Sequence, residues 1–328
     1  GTQVVLWTSG TSGQPRGVAL SFDNLRAITD ASAARLDLGS DDVWVASLSP
    51  AHVGGLVLVA RALLLGGTLI VAGVPDTGSL ARLLEDGIDA GGNVHLPTQL
   101  SLVPVQLQRL LDHVGDRAAP APLRCVLIGG AHAPGPLVER AVATGWPIAL
   151  TYGCTEMSSQ IATAPPGLVR RLGTTVGAAL DGVEVRVADD GELLVRGPTQ
   201  ALGYVRAGSD AGSDAGSDAE GGQAAEVESP PPLADADGWY HTGDLGSVDD
   251  HGHLRITGRR IDRIVSGGVT IDAHEVEEAV RAHPSVVDVC VAGVPDETWG
   301  ERVAALVIPV EGEFDPETLE GHLRDHLM

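Results

Sequence analysis

A chain of 328 residues, 43% of them hydrophobic, holds enough apolar material for two or three domains and a large buried core. Its formal net charge is −23 and all 21 basic residues are arginines, so nucleic-acid binding, which needs a basic face for phosphate contacts, is disfavoured. The longest apolar stretches, such as residues 55–65, are interrupted by Arg61 and stop well short of a membrane span.

The pattern then alternates in chain order. Residues 4–8 read as a strand, followed by a Gly/Ser loop and a helix from about Asp23 to Leu36 with Asp23 near its N-cap. Residues 43–48 and 68–72 read as buried strands around a helical run at 56–65. The spacing of Val105, Leu107, Leu110 and Leu111 gives residues 104–114 the apolar face of a helix. Residues 124–128 and 148–151 are again strand-like, each ending in glycines or turn chemistry. This alternation predicts an α/β fold with mainly parallel sheets in a large N-terminal domain, residues 1–256.

After about Gly173 the texture changes. Short strands at 183–187 and 192–196, joined by Asp189-Asp190-Gly191, predict a small β subdomain over about 174–256. Within it, residues 207–232 repeat a Gly-Ser-Asp-Ala unit and end in a proline cluster, which reads as a disordered acidic insertion. From 257 to 328 a helix at 273–282, strands at 286–292 and 303–308 and a helix at 315–327 predict a smaller α+β C-terminal domain.

Three widely spaced cysteines, Cys125, Cys154 and Cys290, argue against a disulfide framework and a zinc site, and fit a reducing cytoplasm. Strong acidity without lysine leans towards a protein adapted to concentrated salt, the blander source being a GC-rich genome that favours arginine. No basic start followed by an apolar run is visible, and the opening Gly1-Thr2-Gln3 reads as that of a fragment.

The strongest chemical signal is Thr8-Ser9-Gly10-Thr11-Ser12-Gly13-Gln14-Pro15-Arg16-Gly17. Hydroxyls, flexible glycines and one cation directly after a strand suit the wrapping of a triphosphate by backbone N–H groups. A Gly-Lys-Ser/Thr ending is absent, so it is not a Walker loop. Further along come Gly129-Gly130-Ala131, Thr151-Tyr152-Gly153-Cys154-Thr155-Glu156, Tyr240-His241-Thr242-Gly243-Asp244, Gly258-Arg259-Arg260-Ile261-Asp262 and Ser266-Gly267-Gly268-Val269. Taken singly each is a turn or a solvated surface group; their order is not.

In that order they resemble the acyl-adenylate-forming superfamily of acyl-CoA synthetases, peptide-synthetase adenylation domains and luciferases. The resemblance implies ATP and Mg²⁺ as cofactors and coenzyme A as co-substrate. It implies that the phosphates meet Thr8, Ser9, Gly10, Thr11, Ser12, Gly13, Arg16 and Thr155, with Arg16 where the family usually has lysine. Glu156 is implied as the Mg²⁺ ligand, and Gly129, Gly130, Ala131, Tyr152 and Gly153 as the adenine surroundings. Asp244 is implied to accept from the ribose hydroxyls and Arg259 to reach ribose or phosphates. Gly267 and Gly268 would line the pantetheine tunnel after a domain rotation. The hinge position falls at Ile261 or Asp262. The family's adenylation lysine near the C-terminus has no counterpart, so the chain reads as truncated at both ends and impaired in adenylation.

Ser49-Pro50-Ala51-His52-Val53-Gly54-Gly55 resembles the acyl-pocket motif, with His52 as the gate beside the reacting carboxylate. Residues 95–109 and 152–163 look most like the o-succinylbenzoate–CoA ligases of menaquinone biosynthesis, with Gln99, Ser158, Ser159 and Gln160 as polar candidates for the second carboxylate. The implied partners are therefore a small carboxylic acid, ATP and coenzyme A. Two alternatives stay open: a ligase for a fatty, aromatic or short-chain acid, and a non-catalytic nucleotide-binding relative. Oligomeric state is not readable from the sequence.

Overall fold

The computed structural model describes residues 1–8, 16–71, 75–205, 233–260, 263–296, 298–312 and 314–327. By compactness the chain divides into two units, 1–185 with 195–240 and 249–254, and 186–194 with 241–248 and 255–328. Where the sequence suggests one cut near residue 256, two short pieces of the predicted β subdomain group with the second unit. The acidic insertion predicted at 207–232 lies outside the described residues, as do Ile261 and Asp262.

The first unit opens with β1 (Thr2–Thr8) and β2 (Arg16–Ser21), an antiparallel pair in which Thr8 faces Arg16. The sequence reading missed β2, because five of its six residues are buried and the run shows no alternation. Helix α1 (Phe22–Leu36) follows at once, and its N-cap is Ser21 rather than Asp23. The Ser21 side chain accepts the Asn24 N–H at 3.1 Å while Asn24 Oδ1 accepts the Ser21 N–H at 2.9 Å, a reciprocal capping box.

Next come β3 (Val43–Val45), α2 (Val53–Leu65), β4 (Thr68–Ile70), α3 (Thr77–Asp86) and a short hairpin of β5 (Ile88–Ala90) and β6 (Asn93–His95). Then follow β7 (Gln99–Leu102), α4 (Pro104–Val114), β8 (Cys125–Ile128), α5 (Gly135–Ala143), β9 (Ile148–Tyr152), β10 (Ala162–Ala164) and α6 (Pro166–Leu172). The six strands β10-β9-β8-β7-β3-β4 form one sheet, parallel throughout except at its β10 edge, as the alternation predicts. Helices cover both faces, and β8 shows how. Val126 and Ile128 join the core of α3 to α6, while Cys125 and Leu127 pack with Leu36 of α1. In α4 the buried face is Pro104, Leu107, Leu110, Leu111 and Val114; Val105, expected inside, is 52% exposed because it falls off that stripe.

Asp42 joins the strands at their amino ends. Fully buried, it accepts from Thr98 Oγ1 (2.6 Å), Gln99 Nε2 (2.8 Å), Arg124 Nη2 (2.6 Å) and the Gly39 N–H (2.9 Å). Burial opposes its charge, yet those four donors outweigh burial and hold its carboxyl below the usual carboxylate range. A depressed folded value contributes stability above about pH 4 that is lost as pH falls through it. Asp42→Asn is expected to cost roughly 2–4 kcal/mol at neutral pH and less at pH 3. Denaturant unfolding at both pH values checks this; an equal loss at both would refute it.

Four further strands, β11 (Glu184–Val187), β12 (Glu192–Arg196), β14 (Tyr240–Val248) and β15 (Leu254–Arg259), form a sheet in that order. Between β12 and β14 in sequence, β13 (Gly203–Val205) returns to pair with β2. In the second unit β16 (Arg263–Ser266), β17 (Val269–Asp272), α7 (Ala273–Arg281), β18 (Val286–Asp296), β19 (Gly300–Pro309) and α8 (Pro316–Leu327) follow, close to the predicted α+β pattern. The sheet β17-β16-β19-β18 is antiparallel, and Ala273, Val276, Val280 and Leu319 of its helices pack on Ile264, Val289 and Val291.

Candidate active site

In an open parallel sheet, ligands bind beyond the carboxyl ends of the strands, where helix starts and loops converge. Three predicted segments leave the sheet at that edge of the first unit: His52 after β3, Gly129-Gly130-Ala131 after β8, and Gly153 to Glu156 after β9. Gly130 adopts φ +80°, and a Cβ on Gly129 would stand 2.6 Å from Thr151 Cγ2, so both glycines are required by the turn. His52 is the N-cap residue of α2 but caps with its backbone alone, and its ring is exposed.

The segment after β9 is the most constrained. Thr155–Met157 make one 3₁₀ turn, followed by Ser158 and Ser159 at φ +55° and +107°. Cys154 O accepts the Ser159 N–H at 3.0 Å, and Tyr152 O accepts the Ile161 N–H at 2.8 Å. This tight return passes over Gly153, where an added Cβ would lie 1.7 Å from Ser159 O.

A second segment is stitched onto this turn. Ser158 Oγ donates to Thr199 O at 2.6 Å, and the Ala201 N–H donates to Glu156 O at 2.8 Å. Asn24 Nδ2, in the first turn of α1, donates to Pro198 O and Gln200 O at 2.9 and 2.8 Å. The strand that follows, β13, places Tyr204 beside β2, and the Tyr204 hydroxyl donates to Glu156 Oε1 at 3.0 Å. Arg16 lies over the Tyr204 ring, 5.7 Å from its centroid. Thus Arg16 and Glu156, both predicted, are joined through a tyrosine that sequence reasoning missed. One signal was available: the chain has only three tyrosines, and Tyr204 follows a glycine after the motif. Thr8 stands opposite Arg16 and donates from Oγ1 to Arg16 O at 3.3 Å. Ser9, Gly10, Thr11, Ser12 and Gly13 lie outside the described residues.

Glu156 is half-buried, and no cluster of three or more His, Cys, Asp or Glu that would chelate a metal occurs among the described residues. A lone carboxylate with one oxygen occupied suits Mg²⁺, which keeps waters and takes phosphate oxygens for most of its shell. The residues present fit that ion when it arrives with ATP.

The polar candidates for a second carboxylate are placed differently from expectation. Gln99 is buried against Asp42, Ser158 holds Thr199, and the fully buried Gln160 donates to Thr163 Oγ1 at 2.7 Å. Gln160 Oε1 accepts from Ser32 Oγ at 2.6 Å and from Arg61. Arg61, 1% exposed on α2, also donates to Ser32 Oγ at 2.9 Å and stacks on Trp44, while its Nε has no partner among the described residues. Burial pulls its guanidinium down to about 10, so it stays charged at neutral pH. The sequence offered it only as a break in an apolar run.

The second unit has its own group. Asp244, 5% exposed, pairs with Arg259 Nε at 3.0 Å, so two residues assigned to one nucleotide by resemblance meet each other here. Within β14 the Thr242-Gly243-Asp244 segment is held by buried Glu192, whose Oε1 accepts the Gly243 N–H at 2.9 Å and whose Oε2 meets Arg260 Nη1 at 2.8 Å. Gly267 and Gly268 form the turn between β16 and β17 at φ +58° and +83°. A Cβ on Gly267 would strike the Trp299 ring at 2.5 Å.

A model of the AMP-binding enzyme family matches residues 2–205, and one of the AMP-binding enzyme C-terminal domain matches 275–328. The chain belongs to the AMP-binding enzyme family. Among its relatives, a 2-succinylbenzoate–CoA ligase of Bacillus mycoides is 35% identical over 314 residues, which are 93% of this chain and 59% of that protein. The chain thus spans about three-fifths of the length of the curated relatives it matches. Among solved structures, o-succinylbenzoate CoA synthetase of Bacillus subtilis with its acyl-adenylate intermediate superposes with a TM-score of 0.83 at 28% identity, covering 100% of this chain and 63% of that one. The same enzyme with ATP and magnesium gives 0.82 at 28%, covering 100% and 64%. An amide bond synthetase of Marinactinospora thermotolerans gives 0.79 at 29%, covering 99% and 63%. No helix among the described residues is long and apolar enough to cross a membrane.

Proposed function

We propose that this chain is the nucleotide- and acid-binding part of an AMP-forming ligase that activates o-succinylbenzoate and passes it to coenzyme A. The observation that carries the reading is the Glu156 turn, held at the carboxyl edge of the parallel sheet with Arg16 drawn to it through Tyr204. A carboxylate oxygen of the acid attacks the α-phosphorus of ATP and pyrophosphate leaves. The thiol of coenzyme A then attacks the acyl carbon, and AMP leaves. Bound Mg²⁺ supplies positive charge to the phosphates; the protein contributes position and further charge through Arg16, Thr155 and Glu156. His52 at the start of α2 is assigned to the reacting carboxylate, Asp244 and Arg259 to the ribose side, and Gly267-Gly268 to the pantetheine arm. The acidic, lysine-free composition and the three widely spaced cysteines support a reducing cytoplasm rich in salt.

Arg61 favours a dicarboxylate over a fatty acid. A buried guanidinium without a carboxylate partner among the described residues is costly, and an anionic substrate group would offset that cost. Gln160 Oε1 keeps Ser32 as a donor when Arg61 is replaced by methionine, so Arg61→Met is expected to fold with stability within about 1–2 kcal/mol of the parent. Acid-dependent pyrophosphate release, measured with o-succinylbenzoate, benzoate and a medium-chain fatty acid, tests the function. The parent should prefer o-succinylbenzoate, and Arg61→Met should lose that preference. A parent that prefers the fatty acid would overturn the substrate assignment.

A second reading, nucleotide binding without adenylation, is favoured by one observation: none of the 328 residues is a lysine. Tight Mg-ATP binding with no acid-dependent pyrophosphate release would support it.

A further inference from the structure

A carboxylate that serves a cation has two equivalent oxygens and a soft terminal torsion, so its competence depends on what fixes its rotation. In this chain the fixing group is visible. Tyr204 Oη donates to Glu156 Oε1 at 3.0 Å, and no other side-chain hydrogen bond to Glu156 is recorded among the described residues. We propose that Tyr204 is a positioning residue for the cation of the bound nucleotide: its hydroxyl holds Oε1 of Glu156 so that Oε2 is presented to that cation. The proposal rests on the reading of Glu156 as the Mg²⁺ ligand and deepens it.

The position of Tyr204 is built in from several directions. Strand β13 pairs antiparallel with β2, Tyr204 opposite Val18 and Val205 opposite Gly17. At Gly17 a Cβ would stand 2.8 Å from Val5 Cγ1 and 3.2 Å from Val205 O, so the missing side chain lets the three strands close up. Arg16, two residues from Val18 and therefore on the same face, reaches the Tyr204 ring diagonally. The Ala201 N–H on Glu156 O fixes the distance between the two segments just before β13 begins. The Tyr204 side chain is half-buried, and its hydroxyl meets the carboxylate of Glu156. Tyr240, 9% exposed, interacts through its hydroxyl with Tyr204. A hydroxyl that donates to a carboxylate makes a charge-assisted hydrogen bond, the stronger kind.

The arrangement also explains a link that neither residue alone provides. Arg16 opens β2 and Glu156 lies 140 positions later, yet one tyrosine side chain meets both. The loop cation and the metal-side carboxylate thus share a support, and their separation is set by the protein before any nucleotide binds.

Tyr204→Phe removes the hydroxyl and keeps the ring on which Arg16 lies. ATP is titrated calorimetrically into the full chain in excess Mg²⁺ and again in EDTA, and bound Mn²⁺ in the ATP complex is counted by electron paramagnetic resonance. The parent should bind ATP more tightly with Mg²⁺ than without. Tyr204→Phe should lose about 10–100-fold of that metal-dependent gain, with metal-free ATP affinity as in the parent. Glu156→Gln, measured alongside, separates the two levels. If Glu156→Gln abolishes the gain while Tyr204→Phe leaves it intact, the positioning role is overturned and the ligand assignment stands. If Glu156→Gln itself leaves the gain intact, the ligand assignment fails and the proposal fails with it. An equal loss of Tyr204→Phe affinity in both titrations marks a structural role only and refutes the proposal.

Discussion

Gly153→Ala is expected to be among the most destabilising single-methyl changes in this chain, lowering stability by about 3 kcal/mol or more and the melting temperature by roughly 6–12 °C. The new Cβ would lie 1.7 Å from Ser159 O, 2.6 Å from Ser159 C and 2.8 Å from Gln160 Cα, all of them backbone. Relief would require the Ser158–Gln160 return to move outward. That return is pinned by the Ser159 and Ile161 N–H groups on Cys154 O and Tyr152 O and by Ser158 Oγ on Thr199 O. Two of its residues already sit at positive φ without being glycine, so little torsional slack remains. Thermal melting and Mg-ATP titration check the expectation together. An unchanged melting temperature would mean that the turn is looser than this geometry requires.

Glu156→Gln is expected to leave the fold intact and to lower acid-dependent pyrophosphate release by about two to three orders of magnitude. Glutamine keeps the shape of the side chain and an oxygen for the Tyr204 hydroxyl, so the local hydrogen bond at 3.0 Å has a substitute acceptor. The negative charge is what disappears, and with it the hard anionic ligand that Mg²⁺ prefers. Circular dichroism should match the parent while activity collapses. Near-normal pyrophosphate release would remove Glu156 from the cation site.

How much of this was legible beforehand differs from element to element. Helix α4 was read to the residue because Pro104 starts it, Gly115 ends it and its apolar positions recur at helical spacing. Strand β2 escapes the sequence pattern, since five of its six residues are buried and leave no period to detect. The sequence points to Asp23 as the cap of α1, although Ser21, two residues earlier, is a capping type as well. The choice was made by Asn24, whose side chain returns to the Ser21 N–H and also reaches Pro198 O and Gln200 O.

The site divides in the same way. The candidate phosphate-loop residues, Glu156 and Asp244 are singled out by the resemblance of their ordered motifs to those of the family. Their supports were not found. Tyr204 is 48 residues from Glu156, Arg61 is 99 from Gln160, and Arg260 is 68 from Glu192. Gln160 and Gln99, offered as substrate-facing because they are polar and near the motifs, proved to be buried and committed to Thr163, Ser32 and Asp42. Polarity in sequence does not say whether an amide faces a ligand or another side chain.

By itself the sequence determined the parallel α/β sheet, through the period of its apolar runs, and the family, through the resemblance of its ordered motifs. Only the tertiary structure decided how the motifs are held: which oxygen of Glu156 is occupied, what lies beneath Arg16, and which partners a buried guanidinium has. Those depend on segments brought together from distant parts of the chain by sheet pairing, and no local pattern encodes the identity of a neighbour across a sheet.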